Sequence, residues 1–247
     1  MQTPAVVSAE RFLDDLEGRV LRSPVLAHPL LVAFGDGEVT WEQARLFGLL
    51  YWPHIQRTRL YQAAALSITP HEDLQAAYAA ILADEYGHGD ATRTHPAIYR
   101  RFLRALEWTE PDGDAVELLP ALRDYVELHY RLCTSDWLVA AGAAGLAMEW
   151  PIPPMYARLL AGLRRFSQLA GGSLEIFAGH IDQDEQHGRS VRDALRRHLE
   201  TEDARRRVER GVFLSLEARH RLLDGLWAAL RDVVLHQTMP LQSSSTP

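Results

Sequence analysis

One cysteine, Cys133, stands in 247 residues. A lone thiol cannot close an intramolecular disulfide, and it excludes a multi-cysteine zinc or iron–sulfur site. Long apolar runs are missing too: nothing reaches the roughly 18 uninterrupted apolar residues that a membrane span needs. The start, Met1-Gln2-Thr3-Pro4, lacks a basic segment followed by an apolar one, so no secretory signal is expected. A basic surplus is also lacking. The 26 basic residues face 33 acidic ones, for a net charge of −7, which argues against a nucleic-acid partner. The one dense arginine cluster, Arg205-Arg206-Arg207 with Arg210, lies among Glu200, Glu202, Asp203 and Glu209 and reads as a charge-laced helix face. The expectation is a cytoplasmic protein with neither nucleic-acid nor membrane partner.

What is present is apolar, at 47% of residues, and helical in spacing. Alanine, leucine, arginine and glutamate dominate, and alternating patterns are absent. The pattern predicts an all-α chain, a bundle of seven or eight helices forming one domain over 1–236, followed by a disordered tail over 237–247. A first helix is expected over 8–21 with Ser8 as its cap. Thr40-Trp41-Glu42-Gln43 reads as a capping box opening a helix toward Ala65, kinked at Pro53. Further helices are expected over 71–87, 97–106, 115–134 and 155–169, with a turn cluster over 110–114. Gly142 and Gly145, in the small-residue run 140–147, would permit close helix packing. Gly171-Gly172 sets off the last candidate, which begins near 174.

That last segment carries His180, Asp184 and His187. At about 100° per residue, offsets of four and seven return to one helical face. Two imidazoles and a carboxylate so placed suit iron or zinc, or else form a merely polar face. A second cluster ends an apolar helix upstream, where Glu85 and His88 stand three residues apart and His95 ten residues after Glu85. A carboxylate–imidazole pair at that spacing is the two-ligand unit of helical-bundle di-iron sites, or else an exposed helix end. Glu149 is the third candidate. It follows the aliphatic and small run 139–148, where burying a lone carboxylate is costly unless a charge compensates it, and Pro151 nearby leaves open a helix end reaching water. Together these give three carboxylates and three imidazoles. Two ferrous ions would set four positive charges against three negative ones, whereas one zinc needs only three or four ligands.

The order Asp-Glu-Tyr-Gly-His-Gly at 84–89, an apolar helix ending in Glu149, and His-x-x-x-Asp-x-x-His at 180–187 resembles the haem-oxygenase-like di-iron oxidase family. That family shares its seven-helix fold with thiaminase II and pyrroloquinoline-quinone synthase, and the resemblance covers about 28–198. It implies two Fe2+ per chain with O2, and Glu85, Glu149 and Asp184 as the carboxylate ligands on which catalysis depends. It implies His180 and His187 as imidazole ligands, with His95, or alternatively His88, as the sixth. The implied reactions are oxidative C–C cleavage, decarboxylation, desaturation or N-oxygenation of a small acid or amino-acid-derived substrate, in natural product biosynthesis. The string from Glu85 to His95 leans toward an amino-acid-like substrate. The implied partners are that small molecule, O2 and an external electron donor, with a homodimer left open.

One departure concerns a further glutamate that some members carry on the preceding long helix: this chain has no acid between Glu42 and Glu72. A metal-free enzyme of the thiaminase or quinone-synthase kind is the alternative, although Cys133 lies some four turns before the thiaminase nucleophile position. A non-catalytic metal-binding bundle is the other. Tyr51, Trp52, His54, Tyr61, Trp150 and Tyr156 line a substrate pocket or simply fill core. Arg57, Arg59 and Arg189 are the candidate anchors for a substrate carboxylate. The remaining histidines, His28, His71, His129, His198, His220 and His236, show no partner pattern.

Overall fold

In a computed structural model that describes residues 8–238, every regular element among those residues is helical. The order is α1 (Ala9–Leu21), α2 (Pro29–Asp36), α3 (Trp41–Ile55), α4 (Thr58–Ile68), α5 (Glu72–Glu85) and α6 (His95–Ala105). There follow α7 (Glu110–Asp114), α8 (Pro120–Ser135), α9 (Trp137–Ala140) running into a π-helical stretch (Ala141–Leu146), α10 (Ile152–Leu163), α11 (Glu175–Arg196) and α12 (Glu202–Thr238). The all-α expectation holds. Of the expected tail, Gln237 and Thr238 end α12, and the rest lies outside the described residues.

Local chemistry sets these boundaries. The Thr40–Gln43 capping box forms in both directions, with backbone-to-side-chain bonds of 3.0 and 3.2 Å. The long helix expected to reach Ala65 is two helices instead, α3 and α4. Pro53 lacks an N–H and crowds the preceding turn, and the chain breaks at Gln56–Arg57, where the Arg57 guanidinium donates back to the Pro53 carbonyl at 2.6 Å. Helix α5 ends at Glu85, short of the expected 87, because Gly87 takes φ 63°. Helix α6 starts two residues early, since Thr94 caps it and Pro96 sits in the first turn, where a missing N–H has no partner to lose. The cluster 110–114 is a short helix rather than a turn, and Thr109 and Asp112 exchange backbone and side-chain hydrogen bonds at its start.

Two contacts hold the elements that matter most. A Cβ built on Gly142 would overlap the Val208 carbonyl oxygen, and one on Gly211 would overlap that of Val139, so α9 and the π-helical stretch meet α12 backbone to backbone. Phe102 and Tyr99 of α6 pack edge-on against Phe177 of α11, and all three are fully buried. At roughly 1.5–3 kcal/mol per buried ring, that seam fixes the start of α6 against α11. Helix α11 also packs on α5, α10 and the π-helical stretch, which places it at the centre of the bundle. Among the described residues no helix is long and apolar enough to cross a membrane.

Candidate metal centre

The end of α5, the start of α6, the turn after the π-helical stretch and the middle of α11 converge on one buried volume. Glu85, His95, Glu149, Asp184 and His187 are buried there, and His180 is half-buried. They form two triads. Glu85, His95 and His180 make one, Glu149, Asp184 and His187 the other, and in each the ligand-type atoms lie within 4.8 Å of one another. Helix α11 serves both because four residues advance about one turn, roughly 6 Å.

His88 stays outside. Past the end of α5 its offset of three no longer returns to the Glu85 face: His88 takes φ 51°, points to solvent and pairs with Asp84 at 2.5 Å. His95, ten residues on, brings Nδ1 to 2.9 Å from Glu85 Oε2.

Two of the three rings are oriented by a partner behind them. His180 Nδ1 donates to the Ile176 carbonyl at 2.5 Å, leaving Nε2 for the cavity. His187 Nε2 donates to Asp84 Oδ2 at 2.6 Å, so Nδ1 faces Glu149 at 3.4 Å and Asp184 at 3.7 Å. Gln62 of α4 donates to Glu149 Oε1 at 2.7 Å. Glu149 therefore does not reach water.

The electrostatics are those of crowded acids. Burial first, and the Glu149 charge second, push Asp184 well up; burial chiefly raises Glu149 as well. Burial would lower His187, but its hydrogen bonds to Asp184, Glu149 and Asp84 prevail and raise it to about 11. Burial, then the neighbouring His95, drives His180 down to about 3, so its imidazole is neutral at pH 7. Burial also works against the Glu85 charge, yet His95 brings that carboxyl below its usual range.

A divalent cation held between these groups would relieve this arrangement. Glu85 Oε2 is buried and makes no hydrogen bond although a ring nitrogen lies 2.9 Å away, as two ligands facing a common ion would. The mixed carboxylate and imidazole set suits iron. A third group, His28, His220 and Asp224, does not. His28 Nδ1 accepts the Leu30 N–H at 3.1 Å, so its proton sits on Nε2 facing Asp224, and that ring caps α2 instead of offering a lone pair.

Residues 45–220 match the family model described as iron-containing redox enzyme. The chain belongs to that family. It is similar over 234 residues, at 24% identity and 91% of each chain, to a 4-aminobenzoate synthase of Nitrosomonas europaea. It is also similar over 202 residues, at 28% identity, to one of Chlamydia trachomatis, covering 80% of this chain and 84% of that one. Among solved structures, a CADD-like protein of unknown function from Nostoc punctiforme superposes with TM-score 0.74 at 12% identity, over 90% of this chain and 98% of that one. A TenA homolog from Pseudomonas syringae pv. tomato gives 0.71 at 15%, over 92% and 98%. A protein from Shewanella denitrificans described as having a heme oxygenase-like fold gives 0.67 at 16%, over 96% and 98%. The haem-oxygenase-like fold expected from the sequence is therefore the fold observed, and this member is a redox enzyme of an iron-containing family.

Around the triads lies a cavity of about 30 Å3, room for about two waters. His54, Gln62, Tyr156 and Arg219 help line it. Asp184 also borders an outer cleft of about 490 Å3 beside Trp150, and His95 and His180 border a second of about 150 Å3. Of the expected wall, Tyr156 and His54 face the cavity, whereas Tyr51 stacks on Phe47, Trp52 stacks on Tyr99, and Tyr61 packs at a tilt against the ring of His129. None of the expected anchors lines the cavity. Arg57 is bound to Pro53, Arg59 lies over the Tyr86 ring, and Arg189 is exposed beside Glu185. Sequence reasoning missed Gln62, Asp84 and Arg219; for Asp84 the usable signal was its place next to Glu85.

Proposed function

We propose that the six residues hold two ferrous ions, and that the enzyme uses O2 to oxidise a small acid or amino-acid-derived substrate by C–C cleavage, decarboxylation, desaturation or N-oxygenation. The observation that carries this reading is the pair of buried triads sharing α11, with Glu149 and Asp184 forced together and His180 neutral. Glu85, His95 and His180 would hold one ion, and Glu149, Asp184 and His187 the other. His95 takes the sixth place because His88 is exposed and turned away.

Iron held by carboxylates and imidazoles with open positions supplies electrons to O2. The chain's own residues do the rest. Asp84 and the Ile176 carbonyl fix the tautomers of His187 and His180, and Gln62 holds Glu149 in one orientation. Ile55, Ile81, Met148, Ile152 and Ile176 line the cavity and exclude bulk water from it. The relatives' name gives their product, 4-aminobenzoate, an acid bearing an amine, and that supports chemistry on small amino-acid-type molecules.

The reading is tested by mixing the anaerobic ferrous protein with O2 in a stopped-flow spectrometer and following oxygen uptake. Oxygen consumption with a transient absorption band is expected, and both should be lost in His180→Ala and Asp184→Ala. A ferrous-loaded protein that neither consumes oxygen nor changes its spectrum would make it a non-catalytic bundle.

A further inference from the structure

Arg219 of α12 is 2% exposed, lines the cavity that holds both triads, and is the one arginine among the described residues to do so. The chain has no lysine, so its 26 basic residues are all arginines. Among the described residues, Arg219 Nε is buried without a partner, and Nη2 makes only a long 3.4 Å bond to the Ala147 carbonyl. The phenol rings of Tyr51, Tyr125 and Tyr156 lie around it, with Cζ 6.0 Å from the Tyr125 centroid. His54, edge-on to that same ring and 2% exposed, leaves Nδ1 without a partner in the same cavity. The carboxyl groups of Glu85, Glu149 and Asp184 line the same cavity, and Glu149 favours the Arg219 charge, so the charge itself is balanced in the free protein. What is missing is a hydrogen-bond acceptor: a buried guanidinium N–H left without one is costly, and Nε lacks the acceptor that a bound ligand would supply.

We infer that Arg219, assisted by His54, binds the carboxylate of the substrate. The inference rests on the two-iron reading and extends it. Two ferrous ions with three carboxylates leave one net positive charge, and Arg219 adds a second, so the loaded cavity calls for an anion. An ammonium group is repelled from the same place. The guanidinium presents a fork that matches a carboxylate in bidentate fashion. Its bond to Ala147, two residues before Glu149, sets the anchor beside the second triad and leaves the other end of the substrate for the metal-facing side.

The test uses the ferrous-loaded protein kept without oxygen, titrated calorimetrically with formate and acetate, carboxylates small enough for so small a cavity, each against its own carboxamide. Wild-type protein should prefer the acids. Arg219→Gln should weaken the acids roughly ten- to a hundredfold and leave the amides unchanged. Equal acid and amide affinity in wild-type protein, or an acid preference unchanged in the variant, overturns the assignment. Iron content of the same samples separates the two readings: low iron in wild-type protein rejects the metal centre, whereas full iron with an unaltered acid preference in Arg219→Gln rejects the anchor alone. If the variant fails to fold, zinc-loaded wild-type protein labelled with [15N]arginine decides. There the acid must shift a solvent-protected Nε–H signal that the amide leaves in place, and the absence of that shift overturns the inference.

Discussion

Asp84 Oδ2 lies 2.6 Å from His187 Nε2, across 103 residues of sequence. The contact fixes the ring so that Nδ1 faces Glu149 and Asp184. Asp84→Ala should therefore lower metal affinity about ten- to a hundredfold with helical content unchanged, as measured by chelator competition and circular dichroism. An unaltered affinity would mean that packing alone orients the ring.

His88 and His95 should behave as opposites. His95→Ala is expected to reduce iron occupancy at the Glu85 triad, while His88→Ala leaves stoichiometry intact, because His88 is exposed and pairs with Asp84 instead. Iron analysis of the two variants, loaded side by side, decides. A larger loss in His88→Ala would reverse the assignment.

Proton release should accompany metal binding. His187 is raised from 6.5 to about 11, so in the metal-free protein its imidazole is charged at pH 7 and must lose a proton to become a ligand. The folded state then holds more protons than the unfolded one. Stability from this group is fully present below about pH 6.5 and falls as pH rises through about 11. Metal affinity runs the other way and increases with pH. Calorimetry in buffers of differing ionisation enthalpy should detect at least one proton released per chain, and none released would contradict the charge state given to His187.

Local patterns were legible where chemistry and helix period coincide. The offsets of His180, Asp184 and His187 place them on one face of α11, and Glu149 stood out as an acid after an apolar run. The choice between His88 and His95 depends on where α5 stops, which the Gly87 φ decides. The break between α3 and α4 was signalled by Pro53, but its completion by Arg57 was not. Gln62, Asp84 and Arg219 gain their meaning from residues 72 to 103 positions away, a distance no periodicity spans.

Close packing at the π-helical stretch gives a stability test. Gly142→Val puts side-chain atoms against the Val208 backbone and should cost about 1–3 kcal/mol or more, read from the urea midpoint. Gly172→Ala meets nothing within 4 Å and should stay within about 0.5 kcal/mol of wild type. Equal effects of the two would remove the backbone contact as a determinant of the fold.

The central claim is that the two triads form two metal sites, and the number of irons bound tests it most directly. Metal-free protein is loaded anaerobically with ferrous iron, passed through a desalting column and analysed by mass spectrometry for iron against protein. About two irons per chain are predicted, falling in Glu85→Ala and in Asp184→Ala with the helical spectrum preserved. One iron per chain or fewer in wild-type protein would contradict it.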